Sequence, residues 1–68
     1  MIEFELNSDF IPMIQLLKVT DLVMSGGEAQ AVVEQGLVKY NGNVDYRKRL
    51  KVKKGDIVEF NKQTIKIV

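Results

Sequence analysis

The residues best suited to do chemistry form one unbroken run, Tyr46-Arg47-Lys48-Arg49-Leu50-Lys51-Val52-Lys53-Lys54. It holds six of the ten Lys and Arg residues in the chain and no acid. Clustered cations of this kind neutralise phosphates and release condensed counterions, the main source of sequence-independent nucleic-acid affinity. Arg47 and Arg49 each offer a planar fork that can hold a phosphate by two hydrogen bonds, which Lys cannot do. If the run is extended, alternation puts Arg47, Arg49, Lys51 and Lys53 on one side, and Lys48, Leu50, Val52 and Lys54 on the other. Leu50 and Val52 would then reach the core while four cations face out. The same pattern also suits a plain solvated edge strand, where lysines block unwanted strand pairing. The run alone leaves both readings open, and the charge distribution adds to the first. Residues 1–38 carry Lys18 alone against Glu3, Glu5, Asp9, Asp21, Glu28 and Glu34, net −5, and residues 39–54 carry seven cations against Asp45, net +6. A chain with a total of only +1 and so sharp a division points to a polyanion-binding face.

A second candidate is Ser25-Gly26-Gly27 at the start of a helix. Free N–H groups and the positive helix end favour an anion there, and two glycines let a phosphate come close. The alternative is an ordinary capped helix, since Ser25 with Glu28 three residues on forms a capping box that uses some of those donors. Of the two tyrosines, both beside the basic run, Tyr40 shares a side of its short strand with Val38. Tyr46 is the better candidate for stacking on an unpaired base. Lys18 is the lone cation of the acidic half, either part of a nucleic-acid face or a solvating residue of the first helix. Lys39 points opposite to Val38 and Tyr40 and is expected to be exposed beside the basic run. Catalysis has little to work with. The chain lacks His and Cys, its acids are scattered, and Gly26-Gly27 has neither the spacing nor the Lys of a nucleotide-binding loop. The expectation is a non-enzymatic binding module with no metal site, no disulfide and no cofactor.

The elements that must position these residues fit one small domain spanning all 68 residues. A chain this short has a thin core, built here on Ile, Leu, Val, Phe and Met. Ile2, Phe4 and Leu6 alternate with acids and predict a strand. Asn7-Ser8-Asp9 is a turn and a possible cap. Pro12 suits the first turn of a helix that ends near Val19, with Met13, Leu16 and Leu17 as its apolar face. A second helix begins after Ser25, buries Ala29, Val32 and Val33, and stops at Gly36. Val38-Lys39-Tyr40 and a strand from Val44 flank Asn41-Gly42, the strongest short hairpin signal. Gly55-Asp56 is a turn, Ile57 to Phe60 a strand, 61–63 a turn, and Thr64 to Val68 a last strand. The fold class is α+β: two short helices packed on a small, mostly antiparallel sheet of about four to five short strands. No apolar run approaches the ~20 residues of a membrane span, and the N-terminus has no signal-peptide pattern, so a cytoplasmic protein is expected.

This layout resembles the small RNA-binding domain first defined in the fourth protein of the small ribosomal subunit, the S-four domain. The resemblance covers about residues 13–60. It rests on Leu16-Leu17, on Ser25 with Glu28-Ala29, on Gly36-Leu37-Val38-Lys39-Tyr40-Asn41-Gly42 against the family's Gly-x-Val-x-Val-Asn-Gly, and on Gly55-Asp56-Ile57-Val58. Leu16-Leu17-Lys18, Ser25-Gly26-Gly27-Glu28-Ala29 and Arg47-Lys48-Arg49 are similar to short bacterial members in which the domain stands alone. Longer members carry basic residues where Pro12, Gly26 and Gln30 stand here, so the usual helix-borne contacts are depleted and the run at 47–54 is the candidate replacement. The resemblance implies a ribosome-associated, translation-linked protein that grips structured RNA, either rRNA or tRNA, by shape and phosphates. The expected contacts are Arg47, Lys48 and Arg49, then Lys51, Lys53, Lys54, Lys39 and Lys18, with Tyr46 and Ser25-Gly26-Gly27. The alternatives are a protein-interaction module that docks a ribosomal protein through its acidic half, or an accessory subunit of an RNA-modifying or RNA-processing enzyme. Duplex DNA is a poor fit, because no helix carries base-reading side chains.

Overall fold

A computed structural model describes residues 1–68. The order is β1 (Ile2–Phe4), β2 (Ile11–Pro12), α1 (Met13–Val19), α2 (Gly26–Glu34), β3 (Val38–Tyr40), β4 (Asn43–Val44), β5 (Lys51–Val52), β6 (Ile57–Phe60) and β7 (Gln63–Ile67). Five strands form one sheet in the order β1-β7-β6-β3-β4, and β2 pairs with β5 in a separate two-stranded ribbon. All pairs are antiparallel except β1 with β7, where Ile2 lies opposite Ile65 and Phe4 opposite Ile67. The α+β class read from the sequence is the observed one, and no helix is long and apolar enough to cross a membrane.

Strand alternation decides the layers. Val38, Val58, Ile65 and Ile67 are fully buried on the face that meets the helices. There they join Met13, Leu16 and Leu17 of α1 and Ala29, Val32 and Val33 of α2 in one apolar core. The other face is open. On it Lys39 lies opposite Glu59, and Glu59 opposite Thr64. Glu3 lies opposite Lys66, and Lys66 opposite Ile57.

Local chemistry sets the ends of the elements. Pro12, at φ −61° and ψ 142°, is the cap residue of α1, so the helix starts immediately after it. The turn at 7–9 does not cap this helix; the Ser8 hydroxyl donates to the Phe10 carbonyl instead. The capping box of α2 forms with one difference. Ser25 Oγ accepts from the Glu28 N–H at 3.1 Å, but the Glu28 carboxylate reaches past the cap to the Met24 N–H at 2.6 Å. Gly36 ends α2 at φ +74°. A Cβ there would also stand 2.9 Å from Tyr46 Cε1, so close approach of that ring is a second reason for glycine.

The two large hairpins use the same turn. Asn41-Gly42 and Asn61-Lys62 both place two successive residues at positive φ, the type whose twist matches paired strands. The second is therefore a two-residue turn, and Gln63, expected within it, already pairs with Phe60.

The basic run is not one strand. Residues 47–50 make a turn, with the Leu50 N–H 3.4 Å from the Arg47 carbonyl, and 53–56 make another, with the Asp56 N–H 3.1 Å from the Lys53 carbonyl. Only Lys51 and Val52 are strand, and they bond to Ile11 and Pro12 rather than to the main sheet. Leu50 and Val52 do turn inward, Val52 completely. The expected outward row of Arg47, Arg49, Lys51 and Lys53 is replaced by cations spread along two turns and a short ribbon.

Candidate nucleic-acid interface

Contacts of the 46–51 segment fix its place on the fold. The Tyr46 ring covers Gly36, just past α2. Lys48 Nζ lies 3.7 Å from Glu34 Oε1, in the last turn of that helix. Further on, the Leu50 carbonyl accepts the first N–H of α1, from Met13, at 2.9 Å. Lys51 Nζ sits 4.9 Å from the centre of the Phe10 ring, a cation–π contact. The segment thus crosses one end of the helix pair, from the C-terminus of α2 to the N-terminus of α1. Lys48 brings positive charge to a helix end that has no basic residue of its own, which the helix dipole favours.

The Ser25-Gly26-Gly27 start of α2 lies at the opposite end. Its neighbour is Lys18, whose Cδ would be 3.9 Å from a Cβ on Gly26. Nine helical residues, about 13 Å, separate it from the 46–51 segment. The two sites singled out in the sequence are therefore distinct. Lys39 belongs to neither: it faces the open side of the sheet.

The cations differ in freedom. The Arg47 fork is taken by Asp45, Nε to Oδ1 at 3.0 Å and Nη2 to Oδ2 at 2.7 Å, and the same carboxylate accepts the Arg47 N–H at 2.9 Å. These Arg47 hydrogen bonds hold the Asp45 carboxyl below the usual range. Lys48 has its loose contact with Glu34, whereas Arg49, Lys53 and Lys54 are exposed and have no ion-pair partner. Tyr46 is 64% exposed, with its ring edge over Gly36 and the rest in solvent.

The lysine turn at 53–56 is held from beneath by a network that sequence reasoning missed. Asp56 Oδ2 accepts the Tyr40 hydroxyl at 2.6 Å and the Lys53 N–H at 2.8 Å, and Asp56 Oδ1 accepts from Asn41 Nδ2 at 3.3 Å. Asn41 Oδ1 in turn accepts the Ile57 N–H at 2.8 Å. Burial pushes the Asp56 carboxyl up, but the hydrogen bonds from Tyr40, Lys53 and Asn41 outweigh it and leave the group below its ordinary value. Tyr40, donating to that carboxylate and half-buried, is raised. Tyr40 is thus a polar strut at the margin of the core. The signal was present as Asn41-Gly42 and Gly55-Asp56, read only as turns.

Residues 4–68 match the family model of the S4 domain. The chain belongs to the S4 domain family. YbcJ of Escherichia coli (strain K12), whose name carries a provisional RNA-binding description, is 33% identical over 58 residues, 85% of this chain and 83% of YbcJ. YbcJ of Shigella flexneri, described as uncharacterized, matches with the same identity and coverage. The solution structure of E. coli YbcJ superimposes with a TM-score of 0.77 at 32% identity, over all of this chain and 87% of that one. It is described as revealing an ALFAL motif involved in RNA-binding. The S4 fold thus accounts for the helix pair on a mixed sheet, and the polar interface described above is built on that frame.

Proposed function

We propose that this S4 domain binds structured RNA, ribosomal or transfer RNA, and acts by binding alone. The observation that carries the reading is the 46–54 segment. It gathers a mostly exposed tyrosine and six cations, four of them without any acidic partner, in a chain whose first 38 residues are net −5. Short turns, not a helix or a flat strand, present these cations. That suits phosphates on a curved RNA surface better than base edges in a groove. Membership in the S4 family and the likeness to YbcJ support the same reading.

Competition tests it. A complex of the protein with a fluorescent ribosomal RNA hairpin, followed by anisotropy, should be dissociated by unlabelled hairpin or tRNA at concentrations at least ~10-fold below those needed for duplex DNA of equal length. The margin reflects groove and 2′-hydroxyl recognition added to a phosphate affinity that both polymers share. Equal competition by DNA would remove the RNA assignment and leave a general polyanion binder.

A further inference from the structure

The open face of the sheet carries a hollow that the RNA reading does not use. It has a volume of about 300 Å³ and lies where β3, β6 and β7 meet the turn between the last two strands. Leu37 gives it an apolar wall, Lys39 and Lys62 bring amines, and Glu59 and Thr64 offer acceptors, while Phe60, opposite Val38, turns its ring to the core side. The volume is at the lower end for small-molecule sites, about 300–1,000 Å³, the scale of one nucleotide and far below that of a duplex.

The turn at its rim supplies an independent observation. In the sister hairpin the second turn position, at φ +91°, is Gly42, whereas the corresponding position here, at φ +64°, is Lys62. Glycine is the unstrained choice at such a position, so the lysine stands there against local backbone preference. Strain of this kind marks sites where a side chain serves something other than the fold. Neither Lys39 nor Lys62 has an ion-pair partner. Two amines against the single carboxylate of Glu59 leave the hollow net +1, complementary to one phosphodiester.

We infer that this hollow is a second binding site that takes one unpaired nucleotide, its base against Leu37 and its phosphate between Lys39 and Lys62. Glu59, at the middle of the row Lys39–Glu59–Thr64, is placed to accept from an exocyclic amino group, so adenine or cytosine suits the site better than uracil. The site faces away from the helices and is separate from the 46–54 segment. Its ligand can be tested as a free mononucleotide, independently of whether that segment binds RNA.

The test is a titration of the 68-residue protein, labelled with 15N, with adenosine 5′-monophosphate, uridine 5′-monophosphate and inorganic phosphate, read by amide chemical shifts. The adenine nucleotide should move the amides of Leu37, Lys39 and residues 59–64, with saturation at lower concentration than the uridine nucleotide and no comparable response to phosphate. Lys62→Gly should keep the fold, since glycine suits the positive φ, yet raise the dissociation constant at least fivefold. Lys39→Gln should do the same. Shifts confined to residues 46–54 or to the start of α2, an equal response to inorganic phosphate, or unchanged affinity in a folded Lys62→Gly protein would each overturn the assignment.

Discussion

Replacing Arg47, Lys48 and Arg49 together by Ala is expected to weaken RNA binding on the order of a hundredfold at about 50 mM salt, and to flatten the dependence of log affinity on log salt by roughly 1.5. Each lost phosphate contact removes about 0.7–0.9 from that slope, so the figure corresponds to two effective contacts from three residues. Arg47 is the discounted one, because Asp45 already occupies its fork. The pairing has a consequence of opposite sign. Asp45→Asn removes a negative charge from the basic segment and weakens the hold on the guanidinium, leaving Arg47 free for a bidentate phosphate contact. That variant is expected to bind RNA a few-fold more tightly and to steepen the salt slope toward one further contact. Anisotropy titrations at several salt concentrations check both. Unchanged affinity of the triple variant at low salt would show that the 46–54 segment is a solvated edge and that the RNA surface lies elsewhere.

Asp56→Ala is expected to lower stability by about 2–3 kcal/mol, with the mutated site away from the apolar core. The carboxylate accepts three hydrogen bonds, from Tyr40, Asn41 and the Lys53 backbone. Bonds to a charged acceptor are each worth about 1.5–3 kcal/mol when dry, and partial solvent exposure reduces their sum. A domain of this size has a total of only about 3–10 kcal/mol, so the melting temperature should fall by roughly 10–20 °C. The pH dependence follows from the same group. Its folded carboxyl titrates below the ordinary value near 3.9, as does that of Asp45, so the folded state holds fewer protons than the unfolded chain in that range. The stabilisation is therefore complete above the ordinary carboxylate range and is lost as pH falls through the depressed values. Thermal melts by circular dichroism between about pH 2.5 and 7 should show a steep acid limb in the parent and a shallower one in Asp56→Ala. Equal melting temperatures at neutral pH would mean that the network contributes nothing.

Much of this fold was legible because the decisive signals are local. Alternation of Ile2 and Phe4 with acids, the Ser25–Glu28 box, Gly36 and Asn41-Gly42 each act within a few residues and gave the right element. The parallel pairing of β1 with β7 joins residues about sixty positions apart, and no local pattern encodes such a partner. The β2–β5 ribbon has two residues per strand, too few for any periodicity to register. The basic run misled in a specific way. Arg49, Leu50, Lys51, Val52 and Lys53 alternate as a strand does, but the inward turn of Leu50 and Val52 is achieved by a reverse turn followed by a short ribbon. At the site, the density of cations was readable and their individual freedom was not. That Arg47 is held by Asp45, that Lys48 leans on Glu34 and that Lys39 faces the far side of the sheet depend on where the chain returns in space.

The most direct measurement is the affinity of the intact protein for a structured ribosomal RNA fragment, a tRNA and a matched DNA duplex, each at two salt concentrations. The expected result is tighter binding to at least one structured RNA than to the duplex, with an affinity that falls steeply as salt rises. Equal, weak binding to all three would contradict the assignment of the 46–54 segment as an RNA-binding surface.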